Sequence, residues 1–235
     1  VIIVGTGPGL GSSLARKFAK EGHHVFVARR ERNAAALDEL CDEIKNNGGN
    51  ATAIATDARD EDQVINLFSK VSEHGQIDCV IFNIGANVFF PIKETTARVF
   101  KKVWEMGTFS GFLVGRESAK HMKNNGTIIF TGATASVRGS SGFSAFSSAK
   151  FGLRALAQSL ARELGPQGIH VVHTIIDGAI DHPWIEENFP ETYKLKEVDG
   201  ILNPDQIAET YYNLHLQEKS VWTHEIDLRP YMEKF

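Results

Sequence analysis

"VIIVGTGPGLGSSLA", Val1 to Ala15, passes from a run of β-branched residues into a helical pattern through a turn carrying Gly5, Gly9 and Gly11. Glycines there permit a tight bend and a close backbone approach, so that a ligand's phosphates can sit at the helix N-terminus, where free N–H groups and the helix dipole favour negative charge. The pattern predicts a dinucleotide site at Gly5, Thr6, Gly9, Leu10 and Gly11. A plain strand-to-helix turn is the competing reading, and the position at the end of the first strand favours the ligand site.

The same rhythm continues along the chain. "HVFVA" precedes "RNAAALDELCDEIKNNGG", "ATAIATD" precedes "EDQVINLFSKVSEHG", and "IDCVIFNIG" follows. Short apolar runs alternating with long amphipathic stretches predict parallel strands joined by crossover helices, a doubly wound α/β sheet buried on both faces. The second half adds a helical pattern near 97–124, the strand "GTIIFTGA", a helix near 143–164 and the strand "GIHVVHTIID". An irregular stretch over 181–204, a helix from about Asp205 to Gln217 and a last strand in "SVWTHEIDL" complete it. No repeat or linker divides the chain, which predicts one domain over 1–235 with 181–204 covering a site.

Composition limits the function. The 235 residues are 42% hydrophobic and 23% charged, ordinary for one sizeable core, and the net charge of −4 offers no overall positive field for nucleic acid or an anionic membrane. No apolar run approaches the ~18 residues of a membrane span, and no signal-peptide pattern opens the chain. The start on a core strand leads to the expectation that a few native residues precede Val1. Cys41 and Cys79 lack metal-knuckle or CxxC spacing, so a reduced, cytoplasmic setting without a metal centre is expected.

At the end of the second strand, "VFVARRERN" places Arg29 and Arg30 where a cofactor with a free 2′-hydroxyl would want an acid. Guanidinium groups pair well with phosphate, so the phosphorylated cofactor, NADP(H), is expected. Simple solvation of a helix start is the competing reading, stronger for Arg30 than for Arg29.

Together these residues resemble the short-chain dehydrogenase/reductase family over nearly the whole chain. "GTGPGLG" is similar to its TGxxxGxG turn, with Val4 in the threonine's place. "ATDARD" offers Asp57 and Ala58 where the family contacts adenine, and "FNIGA" matches its NNAG segment through Asn83, Ile84 and Gly85. "ASVRGSSGFSAFSSAKFGLRALAQSLARELGPQGIHV" is similar to the segment running from the catalytic serine through YxxxK. The resemblance implies a Rossmann-like three-layer fold, NAD(P) binding, a small-molecule substrate, and a homodimer or homotetramer formed through the helices near 97–124 and 143–164.

The resemblance also implies a catalytic asparagine, serine, tyrosine and lysine, and only the lysine is matched, by Lys150, which would also grip the cofactor ribose. Phe146 falls on the tyrosine, Ala133 on the serine, and Gly107 on the asparagine, with Thr108 in its place if the alignment shifts by one residue. Without a phenol the site lacks the usual general acid, a contribution of ~10²–10⁴-fold, while orientation of the reactants alone still supplies ~7–11 kcal/mol. Acceptors that need no such acid, a protonated imine or a conjugated alkene, become candidates.

A replacement proton source is offered by "DGAIDHP", where His182 or Asp181 falls near the family's nicotinamide-side threonine. The plainer reading, an Asx-type turn with a solvated His182, is favoured. Thr134 and Ser136 follow Ala133 and offer hydroxyls, although such residues usually satisfy backbone groups. His170 and His173 alternate with valines on a strand and are read as structural. The tail "WTHEIDLRPYMEKF" either closes the pocket or meets a neighbouring subunit, or is an edge strand in which Arg229 pairs with a nearby acid.

Overall fold

The computed structural model describes residues 1–233. Seven parallel strands form one sheet in the order β3-β2-β1-β4-β5-β6-β7. They are β1 (Ile2–Val4), β2 (His24–Arg29), β3 (Asn50–Ala55), β4 (Cys79–Phe82), β5 (Gly126–Thr131), β6 (Ile169–Ile176) and β7 (Glu225–Leu228). Strand order reverses between β1 and β4, the switch point outside whose carboxyl ends such sheets open a crevice.

Adjacent strand residues face opposite layers. Ile3 joins Leu14, Phe18 and Tyr211 in one core, packed by α1 (Leu10–Lys20), α2 (Ala34–Asn46) and α9 (Pro204–His215). Ile2 joins Phe68, Phe82 and Phe130 in the other, packed by α3 (Glu61–Ser72), α5 (Ser110–His121) and α6 (Ser144–Leu164). Period-2 burial on both faces is why the strands read as continuous apolar runs. The three-layer, single-domain Rossmann-like architecture is thus as expected. Each large buried ring in these layers contributes on the order of 3–5 kcal/mol against truncation to alanine.

Two stretches differ from their sequence reading. The helical pattern near 97–124 is broken: α4 (Ala97–Trp104) leads through a π-helical turn, Glu105–Phe109, into α5. The irregular 181–204 contains α7 (Pro183–Asn188), α8 (Pro190–Tyr193) and a 3₁₀ turn, Lys194–Val198. Prolines at the first helical positions start α7 and α8, where a missing N–H costs nothing. Among the described residues no helix is long and apolar enough to cross a membrane. In the tail, β7 is the sheet's edge strand and Arg229 pairs with Asp177 at 3.1 Å and with Asp227, while Lys234 and Phe235 lie outside the described residues.

Candidate functional site

A cavity of about 810 Å³ opens at the carboxyl ends of the strands, from the glycine turn across to α6. At one end the turn after β1 is held by its own backbone: the Gly5 and Thr6 N–H groups both donate to the Ala28 carbonyl. Gly5 has φ 94, and a Cβ there would lie 2.7 Å from the Asn83 carbonyl oxygen, so only glycine fits. Gly5, Leu10 and Gly11 line the cavity. Thr6 and Gly9 do not: the Thr6 hydroxyl turns inward to donate to the Ile3 carbonyl at 2.9 Å, and the His182 ring packs on Gly9.

Arg29, at the end of β2, lies over this turn, its Cζ 3.7 Å from where a Gly7 Cβ would be. Arg29 and Arg30 both line the cavity, and no carboxylate stands within 4 Å of either guanidinium among the described residues. Burial, and then the neighbouring arginines, push both below the ordinary arginine value. Asp57 is engaged differently. Its carboxylate takes a bidentate pair from Arg59, at 2.9 and 2.5 Å, which holds it below the usual carboxylate range. Arg59 carries no family signature, and the sequence reading passed over it. Ala58, Asn83 and Gly85 complete this part of the wall, with the Asn83 side-chain amide donating to the Gly5 carbonyl at 3.3 Å.

A turn that only glycine can form at residue 5, at the start of α1 and beside two arginines, fits the phosphates of a nicotinamide dinucleotide. Of the residues expected to hold one, Gly5, Leu10, Gly11, Arg29, Arg30, Asp57, Ala58, Asn83, Gly85 and Lys150 line the cavity.

The other end is built on α6 and the loop after β5. Lys150 is buried, and its Nζ donates to the carbonyls of Thr131 at 2.8 Å and Ile84 at 3.2 Å. Burial pushes its pKa down to about 8, so the ammonium is charged at neutral pH and loses its proton just above. One turn earlier Phe146 presents its ring to the same cavity, packed among Ala86, Val103, Ala135, Ala145 and Ala149. Ala133 also lines the wall, with its N–H bonded to Ser136 Oγ at 3.1 Å, so that hydroxyl serves the backbone. No tyrosine lines the cavity among the described residues, and Tyr211 is fully buried with its hydroxyl bound to Thr131 and Thr174.

Gly107 lies outside the cavity wall. It sits in the π turn, where a Cβ would come 2.9 Å from the Ala149 Cβ, and Thr108 beside it donates to the Ala149 carbonyl at 2.7 Å. Both positions therefore face α6, not the cavity. Asp181 is also outside the wall, its carboxylate held by Lys196 Nζ at 2.7 Å, while His182 is on the wall. The structure thus separates the pair suggested as a proton source.

Thr134 lines the cavity and donates at 2.5 Å to the buried Asp177, which Arg229 braces. His170 stacks on Trp222, and His173 is fully buried against Glu225 at 2.9 Å, neither on the wall. Arg138, Met106, Phe143, Trp184 and Ile185 also line the cavity. They come from segments distant in sequence, and the folded arrangement brings them to one wall.

Comparison with known proteins gives a consistent picture. A model described as short chain dehydrogenase matches residues 1–191. Versicolorin reductase stcU of Emericella nidulans is 33% identical over 181 residues, covering 76% of this chain and 68% of that protein. A probable tetrahydroxynaphthalene reductase of Zymoseptoria tritici is 29% identical over 216 residues, covering 89% and 79%. Among solved structures, a short-chain dehydrogenase from Rhodopseudomonas palustris has 47% identity and a TM-score of 0.84, covering 98% of this chain and 97% of the other.

Proposed function

This chain belongs to the short-chain dehydrogenase family, oxidoreductases that bind a nicotinamide cofactor, and from that premise we propose that it is an NADP(H)-dependent member transferring hydride to or from a small organic substrate without a tyrosine proton donor. The observation that carries this reading is one cavity with Arg29 over the glycine turn at one end and Lys150 beside Phe146 at the other.

When bound, the nicotinamide supplies or accepts the hydride. Arg29, with Arg30 next to it, meets the phosphate on the adenosine ribose; the glycine turn and the start of α1 take the diphosphate. Lys150 supplies positive charge to the ribose side, and the rings of Phe146 and Phe143 with Met106 give the substrate a dry apolar wall. On this reading Phe146 stands at the family's tyrosine position, Ala133 at its serine and Gly107, or Thr108 if the alignment shifts by one residue, at its asparagine; Phe146 and Ala133 have no proton to give to a substrate oxygen, and the Thr108 hydroxyl is bonded to the Ala149 carbonyl. A protonated imine brings its own proton, so that hydride addition alone gives the amine; a conjugated alkene or a carbonyl takes the balancing proton from solvent after hydride addition. The wall of aromatic rings, and relatives named for versicolorin and tetrahydroxynaphthalene, make flat conjugated ring systems the first acceptors to try.

The segment 181–204 covers the site, and the protein associates through α4, α5 and α6. Phe100, Trp104, Phe112 and Phe151 are exposed on those helices, apolar area that a second copy would bury. Light scattering is expected to show a dimer or tetramer.

A second reading has a specific observation in its favour: Lys150 Nζ is satisfied by two main-chain carbonyls, as in a structural lysine. On this reading the protein binds NADP(H) without turnover, as a sensor or partner subunit. An assay of NADPH oxidation against cyclic imines, enones, quinones and hydroxynaphthalenes decides between them. Turnover of some acceptor supports the first; bound NADPH with no turnover, alongside activity gained by the Ala133→Ser/Phe146→Tyr variant, supports the second.

A further inference from the structure

Three neighbouring strands each deliver one residue past their carboxyl ends. β5, β6 and β7 run side by side and parallel; Thr134 follows β5, Asp177 follows β6 and Arg229 follows β7. Main-chain bonds beyond the strands keep the three connections together: the Gly132 N–H donates to the Thr174 carbonyl at 2.7 Å, and the Asp177 N–H to the Leu228 carbonyl at 2.9 Å. The side chains then meet in a row. The Thr134 hydroxyl donates to Asp177 Oδ1 at 2.5 Å, and Arg229 Nη2 holds Oδ2 at 3.1 Å. Asp177 is buried and lies off the cavity wall, whereas Thr134 is on it.

This row fixes the direction in which the threonine hydroxyl acts. A hydroxyl has one proton and two lone pairs, and a carboxylate paired with a guanidinium only accepts. The Thr134 proton is therefore committed to Asp177, in a charge-assisted bond. Turning it toward the cavity would strip a buried carboxylate oxygen of its donor, which is the costly outcome for such a group. No group among the described residues donates to Thr134 Oγ1. Seen from the cavity, the hydroxyl offers lone pairs and no proton.

We propose that Thr134, with Asp177 as its positioning residue, determines specificity by accepting a hydrogen bond from the substrate. The substrate class is then a flat ring system that carries an O–H or N–H donor, a phenol or an N–H iminium, with its rings against Phe143 and Phe146. The inference rests on the reading of the cavity as an NADP(H) oxidoreductase site and narrows the substrates it takes. An ether or carbonyl oxygen at this point would set its lone pairs against those of the threonine, and a site built around a substrate donor rejects the analogue that lacks it. The polarity is the reverse of a hydroxyl that gives its proton to a substrate oxygen.

Calorimetric binding to the NADP⁺-loaded protein tests this without turnover, using 2-naphthol and 2-methoxynaphthalene, which share ring and oxygen and differ in the donor. The wild type is expected to bind the naphthol about 10-fold or more tightly than the ether. Thr134→Val should abolish that advantage by weakening the naphthol alone, and Thr134→Ser should keep it. Asp177→Asn supplies a second variant. Arg229 would take the amide oxygen, leaving the amide N–H to donate to Oγ1 and turn the threonine proton outward, so the ether should gain affinity and the advantage vanish; loss of packing alone would not strengthen a ligand. Equal affinities in the wild type would overturn the inference. So would an advantage that survives both Thr134→Val and Asp177→Asn, or a protein that holds NADP⁺ and binds neither ring. A wild type that does not hold NADP⁺ overturns the underlying reading of the cavity, and the inference with it, an outcome seen before either ring is added.

Discussion

Lys150 Nζ lies 5.9 Å from the centre of the Phe146 ring and donates to the carbonyls of Thr131 and Ile84. Where a hydroxyl at residue 146 would draw the ammonium, the ring offers only the weaker attraction of its face. The cation is therefore anchored to the backbone of β5 and the loop after β4, next to an apolar wall.

Restoring hydroxyls at this wall should create a proton path. Phe146 lines open cavity, so Phe146→Tyr adds an oxygen without overfilling the core. With Ala133→Ser, kcat/KM for carbonyl acceptors is expected to rise by ~10²–10⁴, the usual contribution of a general acid. Steady-state kinetics on a panel of aldehydes and ketones with NADPH checks this. No gain in a variant that still binds NADPH would mean that residue 146 does not stand at the reacting carbonyl.

Lys150 gives cofactor binding a pH dependence. Its pKa, pushed down to about 8 by burial, means that the charge is present below pH 8 and lost above it. NADPH should bind more weakly as pH rises from 7 to 9, and Lys150→Met should bind at least about 10-fold more weakly at pH 7, with no such dependence. The same shift has an opposite sign for folding. The folded pKa is below the unfolded ~10.5, so the chain releases a proton on folding between pH 8 and 10.5, and this group's contribution to stability rises across that window. Fluorescence titration and urea melts between pH 7 and 10 read the two effects separately.

Arg29→Ala should discriminate between cofactors. Loss of a guanidinium–phosphate pair is expected to weaken NADPH by ~10–100-fold and to leave NADH within a few-fold. Calorimetry with both nucleotides measures the ratio. Equal losses for the two would place Arg29 on a part of the cofactor that they share.

Buried histidines set the acid limit of stability. His173 in β6 and His215 in α9 are both pushed down to about 4, chiefly by burial. Unfolded, each titrates near 6.5, so between those values the unfolded chain holds more protons; stability is full above about pH 6.5 and falls toward pH 4. The slope is at most about 1.4 kcal/mol per pH unit for each histidine. Urea midpoints should drop from pH 7.5 to pH 5, and His215→Phe, which keeps a ring against Phe18, should reduce the drop. Equal midpoints at the two pH values would contradict the assignment.

The parts legible in the sequence were those set by local patterns. β-branched runs of buried strand length, the Gly5–Gly11 turn and the spacing of Phe146 to Lys150 follow from periodicity and a short motif, and the turn and the Phe146–Lys150 pair lie at the cavity on the sheet's carboxyl edge. What was not legible depends on contacts distant in sequence. The π turn at Glu105–Phe109 is fitted to α6, with Gly107 against Ala149 and Thr108 bonded to the Ala149 carbonyl. Asp181 and His182 are adjacent in sequence, yet Lys196 takes one and Gly9 receives the other. Thr6 reads as a ligand residue in the motif, and an inward bond to Ile3 withdraws its hydroxyl.

The most direct test of the central claim, a gripped NADP(H) with no tyrosine to serve the substrate oxygen, is a crystal structure of the NADPH complex. The result expected is the adenosine phosphate on Arg29, the Phe146 ring beside the nicotinamide, and no tyrosine hydroxyl within hydrogen-bond reach of the space above it. A phenol from Tyr193, Tyr211, Tyr212 or Tyr231 in that space, or a Phe146 ring turned away from the cofactor, would contradict it.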